Sequence, residues 1–166
     1  WFSFETLKRI TESHPEHDFY FLFDRKYSQE FIFSENVHPV IVHPVTRHPV
    51  LWYMWLEYSV PRILKKLKAD IFVSPDGFVS LSSKIPSVAV IHDINFLHRP
   101  DDLPFFSRKY YNYFFPRFAH KAIRIGTVSE YSANDISASY GIERSKIDTL
   151  YNGVNEIYRP ISSNLI

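Results

Sequence analysis

The sequence predicts an α/β fold in which helices flank a mainly parallel sheet. Short apolar runs alternate with longer amphipathic segments through its 166 residues, which is the pattern of repeated strand–helix units. The run at 88–91 is apolar at every position, as in a strand covered on both faces. Polar clusters follow three of the runs, at His92, Ser129 and Asn152. Since ligand crevices in such sheets lie at the carboxyl ends of the strands, these clusters predict one shared site.

The composition fits one domain and argues against several functional classes. A chain of this length buries roughly 70% of its unfolded surface in a single core. Its 19 Lys and Arg residues nearly balance its 18 Asp and Glu residues, so the charge predicts no nucleic-acid partner. It has no cysteine, which excludes disulfides and thiolate metal sites and fits a reducing, cytoplasmic location. No apolar run reaches the roughly 18 residues that span a bilayer.

The first elements follow from spacing and residue type. Apolar positions at helical intervals predict a helix over 2–13, and the short aromatic run at 18–23 predicts a strand. A His-Pro-Val repeat then places imidazoles at His38, His43 and His48. Three histidines suggest a metal site. The prolines favour exposed loop and edge-strand backbone instead, because each removes a hydrogen-bond donor and disfavours helix in the residue before it.

The middle of the chain predicts a helix over 50–68, kinked at Pro61 and ending in cations that suit a helix carboxyl terminus. Its mostly inward-facing residues are predicted to be Leu51, Trp52, Trp55, Leu56, Tyr58, Ile63, Leu64 and Leu67. A strand at 69–74 and a turn at 75–77 follow, the turn combining a fixed proline φ, an aspartate and a permissive glycine.

A long aromatic helix is predicted over 105–122. One face carries the aromatic residues Phe106, Tyr110, Tyr113, Phe114 and Phe118, with Tyr111 and Phe115 beside them and Arg108, Lys109, Arg117 and Lys121 elsewhere around the helix. We interpret it as a core helix whose cations reach water, while contact with a membrane interface remains an alternative. Strands at 123–128 and 146–151 then enclose a helix at 129–140, which Gly141 closes.

The predicted site residues belong to the three strand-end clusters. His92 could donate a hydrogen bond or a proton to a ligand, with Asp93 fixing its tautomer or the local loop and Asn95 adding a polar group. A plain polar turn explains them equally well. Ser129 is predicted to cap the helix that follows, and Glu130 to project from it into the crevice. The third cluster, Asn152-Gly153, predicts a tight turn.

Together these motifs resemble the N-terminal domain of family 4 glycosyltransferases, and the mannosyltransferase-like members most of all. The matching motifs are residues 68–75, Val90-Ile91-His92-Asp93, residues 125–132, Tyr151-Asn152-Gly153-Val154 and Tyr158-Arg159-Pro160. The resemblance implies one half of a GT-B architecture, in which two Rossmann-like domains face each other across a cleft. It also implies metal-independent sugar transfer with retention of configuration and no resident cofactor.

The resemblance assigns roles to the predicted site residues. His92 would lie at the reacting centre, near the donor sugar and its phosphates. Ser129 and Glu130 would line the cleft near the acceptor, and Asn152-Gly153 would lead toward the interdomain linker. The donor would be a nucleotide sugar such as GDP-mannose or a UDP-sugar. The acceptor would be a glycan or lipid-linked hydroxyl, as in polysaccharide biosynthesis, which fits a cytoplasmic enzyme at the inner face of the membrane.

The family's first strand with its glycine-rich loop, and its paired donor-site glutamates, have no counterpart in the sequence. We therefore expect residues 1–160 to form an N-terminal domain, residues 161–166 to begin a linker, and the fragment to be inactive without a donor domain. An interior sheet edge left open by the missing strand could make the fragment dimerise. The alternative is a non-catalytic α/β domain that binds a sugar, a phosphate or a protein partner. A glycosidase using Asp93 and Glu130 fits the strand-end motifs less well.

Overall fold

A computed structural model describes residues 2–153 of the chain. The predicted linker at 161–166 and the last motif of the resemblance therefore lie outside the described residues. The described helices are α1 (Phe2–Ser13), α2 (Pro49–Met54), α3 (Val60–Leu67), α4 (Asn95–His98), α5 (Phe105–Lys121) and α6 (Glu130–Tyr140). The strands are β1 (Phe19–Phe23), β2 (Val37–Ile41), β3 (Phe72–Ser74), β4 (Ser87–Val90), β5 (Arg124–Thr127) and β6 (Ile147–Thr149).

The described strands form two parallel sheets, which confirms the predicted α/β class. One sheet pairs β1 with β2, and the other has the order β3-β4-β5-β6. The larger sheet is buried at its centre, where Ala89 of β4 and Ile125 of β5 are fully buried. Helix α5 lies between β4 and β5 and helix α6 between β5 and β6, so these crossovers carry the chain back to the same end of the sheet, whereas irregular chain joins β3 to β4.

The core lies between the larger sheet and helices α5 and α6, and it corrects the predicted orientation of α5. Phe115 and Phe118 are buried, whereas Phe106 and Tyr113 are exposed. Phe115 packs edge-on against Phe78 at a ring-centroid distance of 5.2 Å. Because residues three and four apart share a helix face, burying 115 and 118 turns 106 and 113 away from the sheet.

The segment predicted as one kinked helix is instead interrupted by a π-helical turn, Trp55–Ser59, between α2 and α3. Pro61 follows this turn, and its ring would clash with the carbonyl of Glu57 in a regular α-helix, so the backbone widens there. Tyr58 is exposed as a result of the changed register, contrary to the prediction. The Glu57 carboxylate accepts hydrogen bonds from the backbone N–H groups of Leu81 and Ser82, at 2.8 and 2.9 Å.

The loop after β2 is fastened to the end of β1 through Asp24. Its carboxylate accepts two hydrogen bonds from Arg25 at 2.7 Å and two from the backbone and hydroxyl of Thr46, at 2.7 and 2.6 Å. These donors hold the pKa of Asp24 well below its usual range, with the Arg25 bonds contributing most. The indole N–H of Trp52 donates to the Thr46 carbonyl at 2.9 Å and so ties the loop to α2.

A groove of about 1050 Å³ separates the two sheets. All five residues of β1 and all three of β3 line the groove. Consecutive strand residues point to opposite faces, so the groove runs along strand edges rather than over one face of a sheet. These are the edge of β1 that is not paired with β2 and the edge of β3 that is not paired with β4. Its exposed apolar side chains, each 40–48% exposed, are Ile10, Tyr20, Ile71 and Val73. The edges of β1 and β3 that face each other are therefore not joined by backbone hydrogen bonds.

Helix α1 contacts the end of β4 and leads into β1. Phe2, at its start, contacts His92 just beyond the carboxyl end of β4. The twelve residues of α1 extend about 18 Å. The side-chain amide of Asn36 fixes the turn between α1 and β1 by donating to the carbonyls of His14 and His17, at 2.9 and 3.0 Å. Among residues 2–153 no helix is both long and apolar enough to cross a membrane.

Candidate functional site

The carboxyl ends of β4 and β5 bring two of the three predicted clusters together. The hydroxyl of Thr127, the last residue of β5, donates to the backbone carbonyl of His92 at 3.2 Å. The N–H of Ile91 donates to the Gly126 carbonyl at 2.8 Å, which continues the ladder to the strand ends. Ser129 lies two residues beyond Thr127. The parallel register therefore places the histidine and serine clusters at one edge of the sheet, as predicted.

The imidazole of His92 is held in one orientation. Its Nε2 lies 3.0 Å from the carbonyl oxygen of Pro75. A carbonyl can only accept, so Nε2 carries the hydrogen and the neutral ring presents Nδ1 as an acceptor. The Phe2 ring meets the imidazole edge-on, with centroids 4.9 Å apart. Among residues 2–153 Nδ1 has no hydrogen-bond partner, which leaves it available to a ligand.

An open cavity of about 390 Å³ adjoins this histidine. Its walls combine three polar residues with an apolar and aromatic lining, and they consist of Asp76, Phe78, Ile91, His92, Asp93, Phe96, Tyr111 and Phe115. Aromatic and apolar walls with a few convergent polar groups are typical of small-molecule sites. Rings that stack on a ligand, with carboxylates and an imidazole to bind hydroxyls, suit a sugar.

Asp76 joins the cavity because of the turn after β3. Gly77 adopts a φ of +82° there, which lets the chain reverse and brings Asp76 beside the end of β4. The sequence predicted this turn but gave Asp76 no ligand role. Burial raises the pKa of Tyr111, and the Asp76 carboxylate raises it further. Its hydroxyl is therefore neutral at pH 7 and able to donate a hydrogen bond.

Asp93 and Asn95 shape the loop that carries His92. The Asp93 carboxylate accepts a hydrogen bond from the backbone N–H of Asn95 at 2.9 Å, which is an Asx-type turn leading into α4. Asp93 lines the cavity, whereas Asn95 is exposed outside it. The roles predicted for both residues toward a ligand remain predictions.

Ser129 is the predicted amino-terminal cap of α6. Its hydroxyl accepts a hydrogen bond from the N–H of Ser132 at 3.1 Å. Glu130 faces the short turn before β6, where Arg144 donates to its carboxylate at 2.6 Å. Hydrogen bonding to Thr149, together with Arg144, lowers the pKa of Glu130. Neither Ser129 nor Glu130 lines the cavity beside His92.

The third cluster lies apart from the cavity. Asn152 and Gly153 are exposed and in irregular backbone, and the predicted tight turn would close at Val154, which lies outside the described residues. Gly153 does not adopt a positive φ, so nothing in its described conformation requires a glycine.

The three repeated histidines do not converge. His38 pairs with Asp18 at 2.8 Å, and the ring of His48 caps α2 by accepting from the Val50 N–H. Among the described residues, the group with metal-binding spacing is instead His14, Glu16 and His17, and all three are exposed.

Comparison with known protein families gives a match over most of the chain. The model described as Glycosyltransferase Family 4 matches residues 11–156, a range that includes the residues of the cavity. No curated protein matches the chain.

Proposed function

The chain belongs to glycosyltransferase family 4, and from this membership we propose that it forms the acceptor-side half of a retaining hexosyltransferase. The enzyme would move a sugar of the mannose or glucose type from GDP-mannose or a UDP-sugar to a hydroxyl of a glycan or glycolipid. A second domain would bind the nucleotide, and the described domain alone would be inactive. The proposal includes no metal ion and no resident cofactor.

The oriented imidazole of His92 is the observation that carries this proposal. Its Nε2–H is committed to the Pro75 carbonyl, so Nδ1 is the ring atom that can meet a ligand at the carboxyl edge of the sheet. An acceptor nitrogen there can bind a hydroxyl of the donor sugar and fix the position of the anomeric carbon. Such positioning lowers the barrier because the reacting atoms are held in place before reaction.

The carboxylates of Asp76 and Asp93 would bind the acceptor. Both lie on the cavity wall beside His92 and are exposed, so each can accept hydrogen bonds from sugar hydroxyls. The rings of Phe96 and Tyr111 would give the sugar an apolar surface on which to pack. In this proposal Ser129 and Glu130 lie farther along the cleft, toward the extended part of the acceptor.

The decisive experiment uses the enzyme together with its donor-binding domain. GDP-mannose and UDP-glucose would be titrated calorimetrically into the wild type, His92→Ala and His98→Ala. His98 is the matched control, because it is an exposed histidine of the same loop region that binds Asp135 and lies outside the cavity. We expect His92→Ala to bind nucleotide sugar and to lose most of the transfer rate, while His98→Ala retains both.

Acceptor binding is tested separately through Asp76→Asn and Asp93→Asn. Each is expected to raise KM for the acceptor with little effect on donor binding. If no nucleotide sugar binds the complete chain, the domain is instead a non-catalytic binding module. If His92→Ala transfers sugar at the wild-type rate, the role proposed for the imidazole is wrong.

A further inference from the structure

Helix α5 exposes a row of aromatic side chains on the side opposite its core face. Phe105, Phe106 and Tyr113 are 54–69% exposed. Phe106 and Tyr113 are seven residues apart and so lie on one face of the helix. Their exposure is not needed for packing, because Phe115 and Phe118 already fill the contact with the sheet.

A second exposed row lies on α2 and the π-helical turn beside it. Its members are 41–59% exposed and are Val50, Tyr53, Met54 and Tyr58. Tyr53 contacts Phe114 of α5 at 5.9 Å and Tyr58 at 6.2 Å, measured between ring centroids. Trp52 of α2 also packs edge-on against Tyr110 of α5, with ring centroids 5.3 Å apart. The two rows therefore form one surface, which we call the aromatic face.

Cations surround the aromatic face. Arg117 lies over the Tyr113 ring at 3.6 Å, Lys109 over Phe105 at 5.7 Å and Arg62 over Tyr58 at 5.9 Å. The sequence of α5 contains no acidic residue. The segment from α2 to the end of α3 contains one acidic residue, Glu57, and its carboxylate accepts hydrogen bonds from the backbone of the loop after β3.

The nearby acids lie at the amino-terminal edge of the face. Asp101 and Asp102 precede α5, and Asp101 pairs with Arg108 at 3.4 Å. The remainder of the face is positive. The aromatic rings can enter the headgroup region of a bilayer, and the cations can attract acidic lipids. The surface is therefore complementary to an anionic bilayer.

We propose that the aromatic face binds the surface of a bilayer that contains anionic lipid. Phe105, Phe106 and Tyr113 enter the headgroup boundary, and Lys109 and Arg117 remain among the lipid phosphates. Contact is peripheral. This proposal does not depend on the reaction that the domain supports.

The test is co-sedimentation with vesicles of phosphatidylcholine, with and without about one third phosphatidylglycerol. The aromatic variant is Phe106→Ser with Tyr113→Ser, and the charge variant is Lys109→Gln with Arg117→Gln. Tyr131→Ser is the matched control, because Tyr131 is 79% exposed on α6, away from this face. Thermal unfolding followed by circular dichroism confirms that each variant folds.

We expect the wild type and Tyr131→Ser to bind the anionic vesicles alike. Losing each cation should weaken binding about fivefold, so the charge variant should bind about 25-fold more weakly. The aromatic variant should lose binding to both kinds of vesicle, whereas added salt should weaken only the charge-dependent part. Absence of wild-type vesicle binding, or equal binding by all variants, overturns the proposal. Self-association that the aromatic variant abolishes, without lipid binding, assigns the face to contacts between copies of the chain.

Discussion

Replacing Gly77 by alanine is expected to destabilise the fold beside the candidate site. Gly77 is buried and has a φ of +82°, which costs an L-residue roughly 1–2 kcal/mol. An added Cβ would also lie 3.1 Å from Cγ1 of Ile91, 3.2 Å from Cε1 of Phe115 and 3.4 Å from the Val90 carbonyl. Crowding in a packed core adds about 1–3 kcal/mol. The sum predicts a loss of about 2–5 kcal/mol for Gly77→Ala.

Gly141→Ala separates the two costs. Gly141 closes α6 with a φ of +65°, and a Cβ there would meet no atom within 4 Å. The Gly141→Ala variant should therefore lose only the backbone contribution to stability, about 1–2 kcal/mol. The measurement is urea unfolding followed by far-UV circular dichroism for the wild type and both variants. Equal losses would refute the crowding argument and show that Ile91 and Phe115 do not press on the turn at Gly77.

Three further predictions follow from individual side chains. Asp24→Asn should cost about 1–2 kcal/mol at pH 7; because the pKa of Asp24 is lowered on folding, this penalty should shrink below roughly pH 4 as the unfolded carboxyl protonates. If urea unfolding showed the same loss of stability at every pH, the lowered pKa of Asp24 would not be the cause of the loss. Ser129→Ala should cost about 1 kcal/mol by removing the α6 cap, and Ser129→Asp should restore most of it in thermal melts. Glu57→Gln should leave one backbone N–H, of Leu81 or Ser82, without an acceptor, cost about 1–3 kcal/mol, and speed hydrogen exchange at those amides; unchanged exchange would argue against it.

Much of the fold could be predicted because its signals are local. The side-chain oxygen of Ser129 caps the start of α6, and Gly141 ends the helix because glycine readily adopts a positive φ. Neither signal depends on the rest of the molecule. The strand at 88–91 was predicted from its continuous apolar run. By contrast, the π-helical turn before Pro61 requires knowing how α2 and α3 pack together, and the exposure of Tyr113 requires knowing which face of α5 meets the sheet.

The candidate site divides in the same way. His92 and Asp93 were predicted because a polar pair directly follows a buried strand. Asp76 was missed as a ligand-binding residue because its place beside His92, from which 15 residues separate it in sequence, arises from the pairing of β3 with β4. Glu130 was expected in the crevice, but its pairing with Arg144 depends on where β6 docks. Contacts between distant segments carry no local signal.

The groove between the two sheets has a consequence for how the molecule opens. Since no backbone ladder joins β1 to β3, the unit of α1, β1 and β2 is attached to the larger sheet by side-chain packing and by the connecting chain. Such a unit can open as a separate cooperative segment, at a smaller free energy than global unfolding. Native-state hydrogen exchange should therefore show two plateaus, with the amides of Phe21 and Val40 exchanging well before those of Ala89 and Ile125. During that opening, the free edge of β1 is exposed to a neighbouring copy of the chain, so the rate of aggregation should follow the lower plateau.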